Sequence, residues 1–399
     1  MDGPAARRVV LYGMTSGVSA PGFMQGQGPF LHSRGWDVAL TCSAEGGVAD
    51  FAAAEGLQFW PLPLERTVSL RHDLAGWAAL WRTIRRVQPD VTLWGSPKAS
   101  LLGVLACRLQ RVPAVYICHG LRLEGASGLA RAVLWLLEWL TCRLATVVIA
   151  DGFELRDLIE RLHLARRGTA VVLAHGSANG VDGQTVPEPR YRQALGLAAS
   201  DVVVTFAGRL TKDKGIAELI AAWTEVSRTR PAAHLVVAGR ADSADPSSSD
   251  LETSLRALPN THLIGHIDDL ERLWPDTDIL VLPSYREGLP LVVIEAAAAG
   301  IPAVVTDCTG GPEAVQDGFT GTVVPRFDAK TLATALGALI DEPDARQRLG
   351  LAARERALSR YDRPTLWHAL EHLLDQGSAT AALRLRPQTA PENSAEASL

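Results

Sequence analysis

Val202-Val-Val-Thr-Phe-Ala207, followed by Gly208-Arg-Leu-Thr-Lys-Asp-Lys-Gly215, decides the fold. Six apolar or β-branched residues in a row are too few for a typical helix. They lack polar alternation, so they read as a strand buried on both faces. The glycine-bounded loop leads into a helical segment, Gly215–Arg228. Strand, short loop and helix in repetition build a parallel sheet with crossover helices.

The same unit recurs in both directions. Upstream, strand-like runs cover Arg8–Tyr12, Asp37–Thr41, Asp90–Trp94, Ala114–Cys118, Thr146–Ala150 and Ala170–Leu173. Downstream they cover His234–Ala238, His262–Ile264, Asp278–Leu282, Pro302–Thr306 and Gly321–Val324. Helical segments such as Gly26–Arg34, Leu74–Val87, Ala99–Gln110 and Leu291–Ala299 lie between them. Residues 183–200 hold Gly183, Pro187 and Pro189 and no apolar periodicity, which marks a linker. The expected organisation is therefore α/β, with two doubly wound Rossmann-like domains, 1–182 and 201–358. A final helix, 359–375, and a disordered tail, 376–399, complete it. Ligands of such folds sit at the carboxyl ends of the strands, here expected in a cleft faced by both domains.

Composition narrows the class. The 399 residues carry 39 basic and 44 acidic groups, a net charge of −5, which gives no footing for a nucleic-acid partner. Five cysteines, with no Cys-x-x-Cys pair, read as reduced, buried residues of a cytoplasmic protein rather than a disulfide or zinc framework. Met1–Arg8 lacks the apolar segment of a signal peptide. The most apolar stretch, Ala132–Ala150, is interrupted by Glu138, Thr141 and Arg143, so no spanning helix is expected.

The chain has only four lysines, and two of them, Lys212 and Lys214, fall beside Arg209 in the loop after Ala207. Cations at the carboxyl end of a strand, next to a helix N-terminus, suit a diphosphate. A second feature is Glu287-Gly-Leu-Pro-Leu-Val-Val-Ile-Glu295. The helix starting near Leu291 offers free backbone N–H groups. Glu287 lies in the loop before it, and Glu295 in its second turn within an apolar run. A carboxylate there needs hydrogen-bond donors, which sugar hydroxyls supply. His119-Gly120 follows a strand, which aims the imidazole at the ligand end of the sheet. Gly13-Met-Thr-Ser-Gly17 is not a dinucleotide fingerprint, which argues against a nicotinamide enzyme. Asp276-Thr-Asp278 imitates a metal motif but opens a buried strand, so its carboxylates are expected to cap or turn. Finally, Leu74–Val87 and Ala130–Arg143 combine Trp with Arg, a pattern suited to peripheral contact with an anionic membrane.

Gly208-Arg209 with Lys214-Gly215, then Glu287-x7-Glu295, resembles the signature of the family 4 glycosyltransferases, retaining enzymes of the GT-B fold. The resemblance spans roughly residues 8–375. It implies that Arg209 and Lys214 hold the donor diphosphate, that Glu287 binds the transferred sugar and that Glu295 binds the ribose. It also implies that His119 touches the donor sugar or reaction centre and that the Gly17 loop lies near the donor phosphate. His119-Gly120-Leu-Arg122, Gly176-Ser-Ala-Asn-Gly-Val-Asp182 and Thr306-Asp-Cys-Thr-Gly310 are similar to a subgroup that assembles bacterial surface glycans. That subgroup implies a UDP-sugar donor, a UDP-N-acetylhexosamine, and an acceptor saccharide on undecaprenyl diphosphate. No metal or other cofactor is implied. The rival readings are a glycosyltransferase with a soluble natural-product or nucleoside acceptor, and a non-catalytic sugar-nucleotide-binding protein.

Overall fold

The structure is a computed structural model that describes residues 7–64, 70–183, 188–242, 245–267 and 269–379. The chain divides into two compact units. One comprises the chain up to His119, Ser127–Gly176 and the segment from Trp367; the other comprises Gly120–Ala126 and Ser177–Leu366.

The first unit holds β1 (Arg8–Gly13), β2 (Trp36–Cys42), β3 (Gln58–Pro61), β4 (Val91–Trp94), β5 (Ala114–Cys118), β6 (Val147–Ala150) and β7 (Ala170–Val171). They form a seven-stranded parallel sheet in the order β3-β2-β1-β4-β5-β6-β7. The second unit holds β8 (Val202–Ala207), β9 (Ala233–Ala238), β10 (Thr261–Gly265), β11 (Ile279–Leu282), β12 (Ala303–Thr306) and β13 (Gly321–Val324). Its six-stranded parallel sheet runs β10-β9-β8-β11-β12-β13. Each order reverses direction once, between β1 and β4 and between β8 and β11. Loops diverge at such a switch point and leave a crevice at the strand carboxyl ends.

The apolar runs form strands within about two residues of their expected limits. β3 was not anticipated: Gln-Phe-Trp-Pro is short and ends in a proline. It is an edge strand, where proline is tolerated.

The expected final helix over 359–375 is corrected. One helix, Pro343–Arg360, ends there and a second, Arg363–Ala379, begins. Between them Tyr361 O accepts from Val181 N at 2.8 Å and Arg363 N donates to Val181 O at 3.1 Å, so an isolated parallel bridge between Val181 and Asp362 interrupts the helix. The side chain of Asp362 then accepts from Thr365 N at 3.0 Å and restarts the helix. Leu370, Leu373 and Leu374 on that helix join Val10, Leu40, Val91 and Ile149 in the first unit's core. The helix extends beyond 375 to Ala379, and the rest of the expected disordered tail lies outside the described residues.

The linker expected at 183–200 contains a short helix, Tyr191–Ala194. Asp276 Oδ2 accepts from the amides of Arg190 and Tyr191, both at 2.8 Å, and pins its start. Residues 184–187 lie outside the described residues. All five cysteines are free and buried. Among the described residues no helix is long and apolar enough to cross a membrane.

Candidate active site

In the second unit, β8 ends at Ala207 and its loop makes a 3-10 turn, Lys212–Lys214, before the helix Ile216–Thr229. Gly215 closes that turn at φ 67, and a Cβ on it would lie 1.9 Å from Pro283 O. Only glycine allows both the left-handed turn and the close approach of the β11 loop. That approach brings two sequence-distant groups together: Lys214 Nζ lies 2.5 Å from Glu287 Oε1. The side chains are 18% and 12% exposed, so the pair is largely shielded from water. Arg209 is more open and pairs with Asp242 at 2.6 Å.

Asp213 sits between the two lysines and pairs with Arg286 at 2.6 Å. Burial pushes its carboxyl upward, but the Thr211 hydroxyl and the charges of Arg286, Lys214 and Arg209 outweigh it and hold the group below the usual carboxylate range. Asp213 is thus anionic and orders the loop that carries Lys214.

The helix Leu291–Ala298 follows β11, with Pro290 at its N-cap and no side-chain cap. Val293 N donates to Pro290 O at 3.0 Å, whereas no acceptor for the amides of Leu291 and Val292 is found among the described residues. Two amides without a partner at a helix N-terminus suit an anion. Glu295, half-buried one turn on, lines a recess with Glu271, Trp274, Arg354 and Arg363. Its carboxylate has no ion pair or hydrogen bond among the described residues. Burial and then the charge of Glu271 raise its pKa to about 8, against a smaller opposing pull from Arg363.

In the first unit, His119 follows β5. Its Nδ1 lies 2.8 Å from Asp151 Oδ2, and its ring stacks on Phe23 at 4.2 Å. Asp151 is buried at the end of β6, and its contact with Nδ1 fixes the orientation of the imidazole. Gly17 is buried; its N–H donates to Ser43 Oγ at 3.3 Å, and a Cβ would meet Ser43 O at 2.6 Å. Its amide is committed to packing the β1 loop against the β2 loop.

Residues 28–182 match the model described as "Glycosyltransferase Family 4", and residues 187–356 match "Glycosyl transferases group 1". The capsular polysaccharide biosynthesis glycosyltransferase CapM of Staphylococcus aureus is 29% identical over 357 residues, 88% of this chain and 92% of CapM. The UDP-Gal:alpha-D-GlcNAc-diphosphoundecaprenol alpha-1,3-galactosyltransferase of Escherichia coli is 24% identical, covering 78% of this chain and 82% of that one. Among solved structures, HepE of Anabaena in complex with UDP-glucose superposes with a TM-score of 0.77 at 21% identity, over 92% of this chain and 99% of that one. The chain is a family 4 glycosyltransferase. Its fold is GT-B.

Within this glycosyltransferase, Arg209, Lys214, Glu287, Leu291 and Glu295 all lie in the second unit, and the β8 and β11 loops join Lys214 to Glu287. His119 belongs to the first unit. Sequence reasoning missed Asp151, Asp213, Asp242 and Arg286, which position these groups. Asp213 carried a signal, standing between the two lysines, as did Arg286, next to Glu287; Asp151 and Asp242 are partners from other loops. Asp278 accepts from Val203 N at 2.7 Å and from Arg192 Nη2 at 2.5 Å, so it and Asp276 serve as structural anchors. No cluster of three or more metal-ligating side chains occurs among the described residues.

Proposed function

We propose that this glycosyltransferase moves an N-acetylhexosamine, with retention of configuration, from a UDP-sugar to a hydroxyl of an undecaprenyl-diphosphate-linked saccharide. The single observation that carries the donor assignment is the Lys214–Glu287 pair beside the uncapped helix N-terminus. A cation and free amides match a diphosphate, and a carboxylate next to them matches sugar hydroxyls. Relatives support the classes: HepE was solved with UDP-glucose, and the Escherichia coli enzyme acts on a diphosphoundecaprenol-linked sugar.

In this reading Lys214, Arg209 and the amides of Leu291 and Val292 stabilise the charge that grows on the leaving diphosphate. That diphosphate takes the proton of the acceptor hydroxyl as the glycosidic bond forms on the same face. Glu287 exchanges its Lys214 contact for sugar hydroxyls, and Glu295 accepts from the ribose. His119, oriented by Asp151, hydrogen-bonds a substrate hydroxyl through Nε2. The cations make a divalent metal unnecessary. The reaction is cytoplasmic, with the first unit in peripheral contact with the membrane.

Because Lys214 and Glu287 are partners, their variants separate cleanly. Lys214→Ala should weaken UDP about ten- to a hundredfold, the loss of one charge-assisted contact. Glu287→Gln frees Lys214, so UDP should bind at least as tightly as to wild type while transfer falls more than tenfold. Calorimetric titration with UDP beside a transfer assay tests this. Wild-type transfer by a folded Glu287→Gln enzyme would refute the assignment.

A further inference from the structure

Phe327 lies outside the groups assigned above. It follows β13, whose carboxyl end is level with that of β12: Thr306 registers with Val324. The residue is 66% exposed and its backbone adopts φ 63. For a bulky residue that conformation is an outlier, and such outliers gather at ligand sites. The neighbours hold it there. Arg326 is fixed to Asp307 Oδ1 by its amide at 2.9 Å and its Nε at 3.0 Å, and its Nη1 donates to Tyr285 O at 3.3 Å. Asp328 caps the next helix by accepting from Thr331 N at 2.9 Å.

The ring is also backed. Its centroid lies 4.3 Å from that of Tyr285, with the planes inclined at 45°. Tyr285 is itself immobilised: its hydroxyl donates to Glu218, and its amide donates to Asp213 O at 2.8 Å. Tyr285 precedes Arg286 and Glu287, so this aromatic pair is continuous with the donor loop. Arg326 precedes Phe327 in the chain and pairs with Asp307 at 3.0 Å, both side chains being solvent-accessible.

We propose that Phe327, backed by Tyr285, is a stacking platform for a pyranose ring of a saccharide, with Asp307 and Arg326 bonding its hydroxyls. One face of a pyranose is a sheet of C–H groups that packs on an aromatic face, and its rim is polar; the platform matches both. A lone exposed phenylalanine in relaxed backbone would need no explanation. Exposure and backbone strain meeting at one rigidly held ring do. The sugar bound would be a residue of the acceptor glycan beyond the one that receives the transfer. This rests on the saccharide acceptor proposed above.

Saturation-transfer NMR of the full chain with UDP and each of maltose, lactose and N,N′-diacetylchitobiose tests it. Wild type should saturate the C–H protons of one pyranose in at least one disaccharide. Phe327→Asn, whose side chain suits the left-handed backbone, should cut that transfer more than threefold while melting no earlier than wild type. Phe327→Trp should retain it. Equal saturation in Phe327→Asn, or none from any disaccharide with UDP bound to wild type, overturns the platform. Failure of wild type to bind UDP at all would instead count against the donor assignment.

Discussion

Glu295 titrates in the wrong place for a carboxylate, and the direction has a consequence. Its folded pKa is raised from the ordinary 4.5 to about 8, first by burial and then by Glu271. The unfolded chain therefore releases this proton at lower pH than the folded one. The group's contribution to stability is full below pH 4.5 and is lost as pH climbs through 8. Glu295→Gln stays neutral, so its stability relative to wild type should rise between pH 5 and pH 8.5 in urea unfolding. Parallel pH curves for the two proteins would contradict the raised pKa. At the same scale, the cations lead us to expect full transfer activity after exhaustive EDTA treatment. Activity lost to chelator and restored by Mg²⁺ or Mn²⁺ would reverse that view. Residue types at this scale were legible wherever chemistry was local: an apolar helix run does not carry Glu295 without cause. The pairing of Lys214 with Glu287 was not, because it depends on Gly215 meeting the β11 loop.

The helix Gly128–Leu144 is unusual as an element. Leu129, Val133, Leu136 and Leu137 are exposed, Leu129 by 82%. They recur at i, i+4, i+7 and i+8, a single stripe, and Arg131 is exposed on the opposite side of the same helix. Trp135 and Trp139 are half-buried, Trp135 donating to Leu162 O at 3.1 Å. The other Arg- and Trp-bearing helix, Leu70–Val87, behaves differently. Leu80 and Ile84 are buried, Trp77 and Trp81 half-buried against each other, and Arg82, Arg85 and Arg86 face water. Sequence alone treated the two alike, because composition does not say which face meets the sheet. We expect wild type to float with phosphatidylglycerol vesicles at low salt, but not with pure phosphatidylcholine, and to be released by high salt. The double variant Leu129→Ser/Leu136→Ser should lose at least tenfold of that binding. Equal flotation would place the contact elsewhere or show that charge alone drives it.

For the whole molecule, the strands and their parallel pairing were legible because buried parallel strands read as continuous apolar runs. The division of the chain was not, since it depends on long-range packing. Two units of this size should not unfold as one two-state system. UDP at a hundred times its dissociation constant should stabilise the unit that binds it by about 2.7 kcal/mol. Scanning calorimetry should therefore show one transition moving upward with UDP while another stays. A uniform shift of all heat absorption would argue that the two melt together.

The chain order of these units bears on engineering. The helix from Arg363 supplies Leu370, Leu373 and Leu374 to the first core, while Gly120–Ala126, with Glu124 accepting from Thr309 at 2.6 Å, belongs to the second unit. Neither unit is a continuous piece of gene. A fragment ending at the linker would leave a bare apolar groove where three leucines belong, each worth about 1.5–3 kcal/mol of burial. A chimaera meant to exchange donor preference with a relative therefore needs two junctions, near 176 and 366, and should carry the Gly120–Ala126 segment along with the transplanted unit.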